Sequence, residues 1–114
     1  MSNLDLYCIT NKKVKFLENT KINLAWVGLE EKPKNYLACD NKNNIFYKEK
    51  YYSELTFQYW YWKNMLDIKN NNWIGFCQKR RFWLKSKLIN HEINYQNIQK
   101  NLLQEIPTEF DNFN

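Results

Sequence analysis

The chain has 114 residues, a formal net charge of +5 and 44% hydrophobic content, which is apolar material for one core and too little length for a second domain. An aromatic fraction of 18% with only two glycines and two prolines excludes a disordered tail, a linker or a low-complexity segment. No apolar run approaches the roughly 20 residues needed to cross a bilayer, and Met1-Ser2-Asn3-Leu4-Asp5 lacks the basic and apolar regions of a secretory signal. A cytoplasmic location follows as the expectation, with peripheral contact the only membrane association left open.

Residues 4–9 carry the dense apolar pattern of a first strand, stopped by the polar turn formers Thr10-Asn11-Lys12-Lys13. A short apolar segment at 14–17 fits helix or loop equally. Residues 22–27 form a second strand closed by Gly28. Residues 30–50 are charged and Asn-rich, with Pro33 and the run Asp40-Asn41-Lys42-Asn43-Asn44, and read as a surface connection. Ser53 then stands as N-cap of a helix running to about Asp67. Glu54 puts negative charge in its first turn, Tyr52 and Phe57 have staple spacing, and Thr56 occupies the place where a capping box calls for Glu or Gln.

Within that helix Leu55, Tyr59, Trp62 and Leu66 share one stripe and Phe57 and Tyr61 add a second flank, so wide an apolar surface that burial on more than one side is expected. Thr56, Trp60, Lys63 and Asp67 form the remaining face and could line a cleft, although spacing alone favours Trp60 as core and Lys63 as a solvated cation. Asn70-Asn71-Asn72 closes the unit. Residues 73–77 are a continuous apolar run suited to a strand covered on both faces, with Gly75 leaving room for another backbone or a ligand. Residues 94–103 read as a second amphipathic helix, Ile98 and Leu102 inward, ending near Pro107. The order strand, strand, helix, strand, helix predicts an α/β class: an open sheet of about three strands with two main helices and a right-handed crossover onto the third strand. Another strand could begin at Phe110, which makes the single domain spanning 1–114 read as the N-terminal portion of a larger one.

In open parallel sheets the ligand crevice lies beyond the carboxyl ends of the strands. That rule gathers Thr10-Asn11-Lys12-Lys13, Gly28 and Gln78-Lys79-Arg80-Arg81 into a polar, cationic rim suited to a diphosphate. Arg80 and Arg81 are the only arginines, and they stand equally to pair with surface carboxylates such as Glu54 or Asp67. Cys8, Cys39 and Cys77 share no C-x-x-C spacing and read as reduced thiols rather than a zinc site. His91, the only histidine, sits in a polar connector with no partner pattern for a triad or metal. Gly28 and Gly75 stand alone, which disfavours P-loop chemistry, and a carboxylate acting as acid or base would come from Glu30, Glu31 or Glu54.

The elements Asn44-Ile45, Tyr52-Ser53-Glu54-Leu55-Thr56, Tyr59-Trp60, Trp62-Lys63-Asn64, Ile74-Gly75 and Arg80-Arg81-Phe82 together resemble the N-terminal half of an uncharacterised bacterial domain family of capsular and exopolysaccharide biosynthesis proteins, regarded as glycosyltransferase-like. The resemblance spans about residues 40–83. It implies a partial GT-A-like (Rossmann-like) sheet, a nucleotide-sugar donor and a glycan acceptor as partners, and Asn44, Glu54, Trp60, Lys63, Arg80 and Arg81 as substrate-binding positions, Trp60 or Tyr59 stacking on a ring. Gln78-Lys79 stands where the family pattern has His-Tyr, which removes an imidazole. No Asp-x-Asp motif is present, so no cofactor is identifiable and a divalent metal would need sequence beyond this chain. No catalytic residue emerges. Two other readings stand beside a transferase: a truncated non-catalytic remnant, and, further behind, a basic nucleic-acid-binding module suggested by a pI near 9.1. No nucleic-acid motif supports the last.

Overall fold

The computed structural model describes residues 3–69, 71–85 and 98–107. Three parallel strands, β1 (Leu4–Thr10), β2 (Asn23–Trp26) and β3 (Trp73–Gln78), form an open sheet in the order β2-β1-β3. β1 is the centre: Cys8 lies opposite Leu24 on one side and opposite Cys77 on the other. This is the α/β architecture that the element order predicts, with the strands where the apolar runs place them. Leu37 adds a single parallel bridge outside β2, exchanging Trp26 N–H and Leu37 N–H with the carbonyls of Leu37 and Leu24.

Side-chain alternation along β1 makes two cores. Leu6 and Cys8 point to one face, packing with Val14, Leu17, Leu24, Trp26, Tyr36 and Leu102. Tyr7 and Ile9 point to the other, against Phe57, Trp60 and Tyr61 of α2 (Glu54–Asn64). The first face is covered by the connection from β1 to β2, which contains a 3₁₀ turn at Lys15–Leu17, and by the segment carrying α3 (Ile98–Asn101). The second is covered by the connection from β2 to β3, which contains a 3₁₀ turn at Phe46–Lys48, α1 (Glu49–Tyr52) and α2. Gly75 faces Leu6 across the β1–β3 ladder, and a Cβ there would sit 2.6 Å from Leu6 Cδ2, so the room it leaves is filled by the neighbouring strand's side chain and not by a ligand.

Three sequence expectations change. The stripe Leu55, Trp62 and Leu66 faces outward, with Leu55 53% and Trp62 57% exposed, while Thr56, Phe57, Trp60 and Tyr61 are buried. A helix that is apolar nearly all round leaves its orientation to bulk, and the larger aromatic surface of Phe57, Trp60 and Tyr61 goes to the sheet. The helix also ends at Asn64, whose side-chain amide donates to the Trp60 and Asn43 carbonyls and so terminates it three residues early. Finally, residues 30–50 are more than a surface connection. Tyr36 and Cys39 are buried, the Tyr36 hydroxyl accepts the Val14 N–H, and the Cys39 thiol donates to the Trp26 carbonyl while burial pushes its ionisation up to about 12.

Leu102 is fully buried, as the amphipathic pattern of the second helix requires, but only Ile98–Asn101 is helical among the described residues. The remainder of that expected helix before Ile98, together with His91, lies outside the described residues. Among the described residues no helix is long and apolar enough to cross a membrane.

The orientation of α2 yields opposite outcomes for neighbouring positions. Phe57→Ala should cost about 3–5 kcal/mol of stability in urea denaturation, because a fully buried ring is deleted, whereas Leu55→Gln, half exposed two residues earlier in the same helix, should stay within about 0.5 kcal/mol. Thr56→Val should stabilise the protein by about 1 kcal/mol, since the Thr56 hydroxyl is buried with no partner among the described residues.

Candidate functional site

Because the connections leaving β1 and entering β3 cover opposite faces, the carboxyl ends of these two adjacent strands form a switch point, where open α/β sheets hold ligands. Thr10 organises the β1 side. Its buried hydroxyl donates to the Lys12 carbonyl at 2.6 Å and accepts the Lys12 N–H at 3.0 Å, a local turn that swings Asn11, Lys12 and Lys13 onto the rim. β3 ends in a tight turn in which Gln78 and Arg81 exchange both backbone hydrogen bonds, leaving Lys79 and Arg80 as its two tip residues.

That turn decides the fate of the arginine pair. Adjacent residues leave a turn in different directions, and the two guanidinium groups border different hollows. Arg80 joins Lys12, Lys13, Lys15, Phe16 and Lys79 around an open cleft of about 650 Å³ on the 3₁₀-turn side of the sheet. Arg81 joins Glu54, Gln58, Phe76 and Trp83 around a cavity of about 350 Å³ on the α2 side. Among the described residues neither arginine is held in an ion pair, so neither Glu54 nor Asp67 neutralises them. Both reach the predicted edge, but they do not form one fork.

The first cleft is an assembly of like charges. Lys79 Nζ donates to Asn11 Oδ1 at 2.6 Å, which ties the exits of β3 and β1 together. Partial burial, then the neighbouring charges of Lys12 and Arg80, hold the Lys79 ammonium below its ordinary range. Among the described residues the one ion pair this group makes is that of Lys13 Nζ with Glu18, at 3.8 Å. On the β2 side, Lys12 and Lys13 also border a hollow with Gly28, Glu30, Glu31 and Glu49. Gly28 is required there: a Cβ would lie 2.7 Å from Trp26 Cζ2 and 3.1 Å from the Asn11 carbonyl oxygen, and the Trp26 ring is fixed by its N–H bond to the Glu30 carbonyl.

The other sequence candidates lie elsewhere. Trp60 is built into the core, 5% exposed, stacked near Phe57 and donating its indole N–H to Asn41, so it offers no face to a ligand. Asn44 closes a local turn, its side chain accepting the Phe46 N–H and donating to the Lys42 carbonyl. Its neighbour Asn43 is bonded to Tyr59 and Asn64, which puts this loop at the end of α2 opposite Glu54. Lys63 lies over the Trp62 ring at 3.8 Å, a solvated cation on its own helix. Lys12 and Lys79 stand at the edge, as the rim expected from sequence has them, and Lys15 and Trp83 belong to it too without having been named there. For Lys15 the signal was the basic run following the first strand, and for Trp83 it was an aromatic just past the arginines. Among the described residues no group of three His, Cys, Asp or Glu side chains is placed to hold a metal.

Cys8 and Cys77, directly opposite across the β1–β3 ladder, are buried free thiols, and the neighbouring Cys77 thiol together with burial raises Cys8 far above the usual thiol range. They are packing groups of the first core.

A family model described as Domain of unknown function (DUF4422) matches residues 5–110. The chain matches no curated protein and no solved structure.

If the Thr10 turn sets the rim, Thr10→Val should remove both bonds to Lys12 while keeping the packed shape. A loss of about 1–2 kcal/mol in denaturation, with faster amide exchange at Lys12, is the expected result.

Proposed function

We propose that this chain, which belongs to the family described as Domain of unknown function (DUF4422), is a glycosyltransferase-like protein that binds a nucleotide-sugar donor at the carboxyl edge of β1 and β3. The observation that carries the reading is the cleft of Lys12, Lys13, Lys15, Lys79 and Arg80, charges gathered at the switch point with one ion pair, Lys13 to Glu18, among the described residues. Like charges held together are unfavourable without a partner, and a diphosphate supplies up to three negative charges and several acceptor oxygens at once. Lysines act as point charges on such a group and an arginine adds a directional fork. Phe16 gives the cleft an apolar edge against which a base could lie.

The resemblance of residues 40–83 to a family of capsular and exopolysaccharide biosynthesis proteins supplies the finer part of the reading, which is polysaccharide synthesis as the setting and a glycan as the acceptor. In such a transfer the leaving diphosphate carries the developing charge, and preorganised cations aimed at it are the largest source of rate. Lys79 and Arg80 on a two-residue turn, with Lys79 braced by Asn11, are placed for that task.

Isothermal titration with a panel of nucleoside diphosphates and nucleotide sugars tests the reading. One nucleotide should bind, and the double variant Lys79→Ala, Arg80→Ala should weaken it at least about 10-fold, the scale of losing charge-assisted hydrogen bonds. Unchanged affinity in the double variant removes the cleft from this role. Steeply salt-dependent retention of single-stranded DNA without nucleoside diphosphate binding transfers it to nucleic acid. The pH dependence has a definite sign. Lys79 titrates below the ordinary lysine range in the free protein and a bound anion raises it again, so binding takes up a proton and weakens as pH climbs through the lowered value.

A further inference from the structure

The second cavity at the same edge has a different chemistry. On its α2 wall, Glu54 and Gln58 are one helical turn apart on the face that continues to Tyr61, and Tyr61 packs edge-on against Phe76 with ring centroids 5.9 Å apart. The helix therefore lies over β1 and β3, through Tyr7 and Phe76, and its first turns bring a carboxylate and an amide to the cavity at the β3 exit. On the opposite wall the tight turn at Lys79-Arg80 folds the chain back so that the Trp83 indole N–H donates to the Phe76 carbonyl at 3.0 Å. With its N–H committed, Trp83 is held in one orientation while 54% of the residue stays exposed. Arg81 and Gln78 complete the lining.

We infer that this cavity is a saccharide subsite, with Trp83 as the platform for the apolar face of a pyranose ring and Glu54, Gln58, Gln78 and Arg81 as partners for its hydroxyl groups. A sugar hydroxyl both donates and accepts, and the lining offers a pure acceptor, a pure donor and two amides that do both. Among the described residues Glu54 and Arg81 hold no ion pair, so their polar atoms remain available. At about 350 Å³ the cavity sits at the small end of ligand pockets, with room for a pyranose ring. Its lining holds one cation and one carboxylate, Arg81 and Glu54, where the neighbouring cleft gathers cations, so its net charge suits an uncharged polar guest. A ring locked by packing and a second hydrogen bond is preorganised, which reduces the ordering lost on binding.

The inference rests on the transferase reading for the source of the sugar, while the saccharide contact itself is read without nucleotide. The experiment is saturation-transfer NMR and tryptophan fluorescence on the full chain, titrated separately with methyl pyranosides, with a nucleotide sugar and with a nucleoside diphosphate. Ring-proton contacts from a methyl pyranoside identify an acceptor saccharide as the occupant, and contacts from the nucleotide-linked sugar alone identify the donor's sugar. Contacts from neither, with the nucleoside diphosphate still binding, overturn the subsite and leave the transferase reading standing. Pyranoside contacts with no nucleotide binding do the reverse. Trp83→Ala should weaken the sugar at least 10-fold. Should that variant fail to fold, Glu54→Gln on the α2 wall and Arg81→Met at the turn carry the test, each expected to weaken binding at least fivefold, and unchanged affinity in both overturns the proposal.

Discussion

β1 is flanked on both sides by parallel neighbours, and most of what the molecule can do follows from that constraint. A parallel pair cannot be joined by a hairpin, so each connection must return across a face of the sheet. Here the return to β2 covers the face of Leu6 and Cys8, and the return to β3 covers the face of Tyr7 and Ile9. The central strand is buried from Leu6 to Thr10 as a result. The same geometry brings the carboxyl ends of all three strands to one edge and parts the chain above β1 and β3. Packing creates the opening; the residues that follow each strand determine what can occupy it.

Those residues oppose the stability logic of the rest of the chain. Elsewhere, the unpartnered Thr56 hydroxyl apart, polar groups such as these are matched: Tyr36 with Val14, Asn72 with Asp5, Trp26 with Glu30. At the edge Lys12, Lys79 and Arg80 crowd together, and Lys79 leans on the neutral Asn11 for support. Ser53, the residue that delivers Glu54 to the same edge, has φ 44° and ψ −113°, a backbone region that non-glycine residues seldom adopt, and makes no side-chain cap bond. Departures from local consistency that concentrate at one edge mark where a fold gives up stability for something other than folding.

The strands were legible because both carry dense apolar stretches, Leu6 to Ile9 and residues 73–77, but only β1 is covered on both faces: β3 is an edge strand and is largely half-buried, where the continuous run suggested full cover. The helix was legible in existence and start, but not in facing. Leu55, Trp62 and Leu66 have the spacing of a buried stripe, yet Thr56 is fully buried beside them. A pattern of apolar and polar letters cannot rank two apolar faces by how well their rings fill the space over Tyr7 and Phe76. The arginine pair was legible as chemistry and misread as geometry, since adjacency in sequence suggests a shared target only when no turn intervenes. Tyr36 and Cys39 were hidden by the polar residues around them, although Tyr36-Leu37-Ala38-Cys39 is a short apolar run of the kind that marks an edge strand.

The exchange of His-Tyr for Gln78-Lys79 acquires a physical meaning from this geometry. The turn is a boundary, with Gln78 lining the cavity beside Glu54 and Arg81, and Lys79 lining the cationic cleft. In the family pattern that the sequence resembles, the position of Gln78 holds an imidazole, which changes charge between about pH 5 and 8. An amide there cannot move a proton, so on the proposed transferase reading Glu54, the one carboxylate lining that cavity among the described residues, would be left to accept one from an acceptor hydroxyl. Lys79 adds a cation where a tyrosine would have offered a neutral hydroxyl, a change that on the same reading would favour a diphosphate at neutral pH. The turn thus parts two chemistries, a concentration of positive charge on one side and hydrogen-bonding groups with a carboxylate on the other.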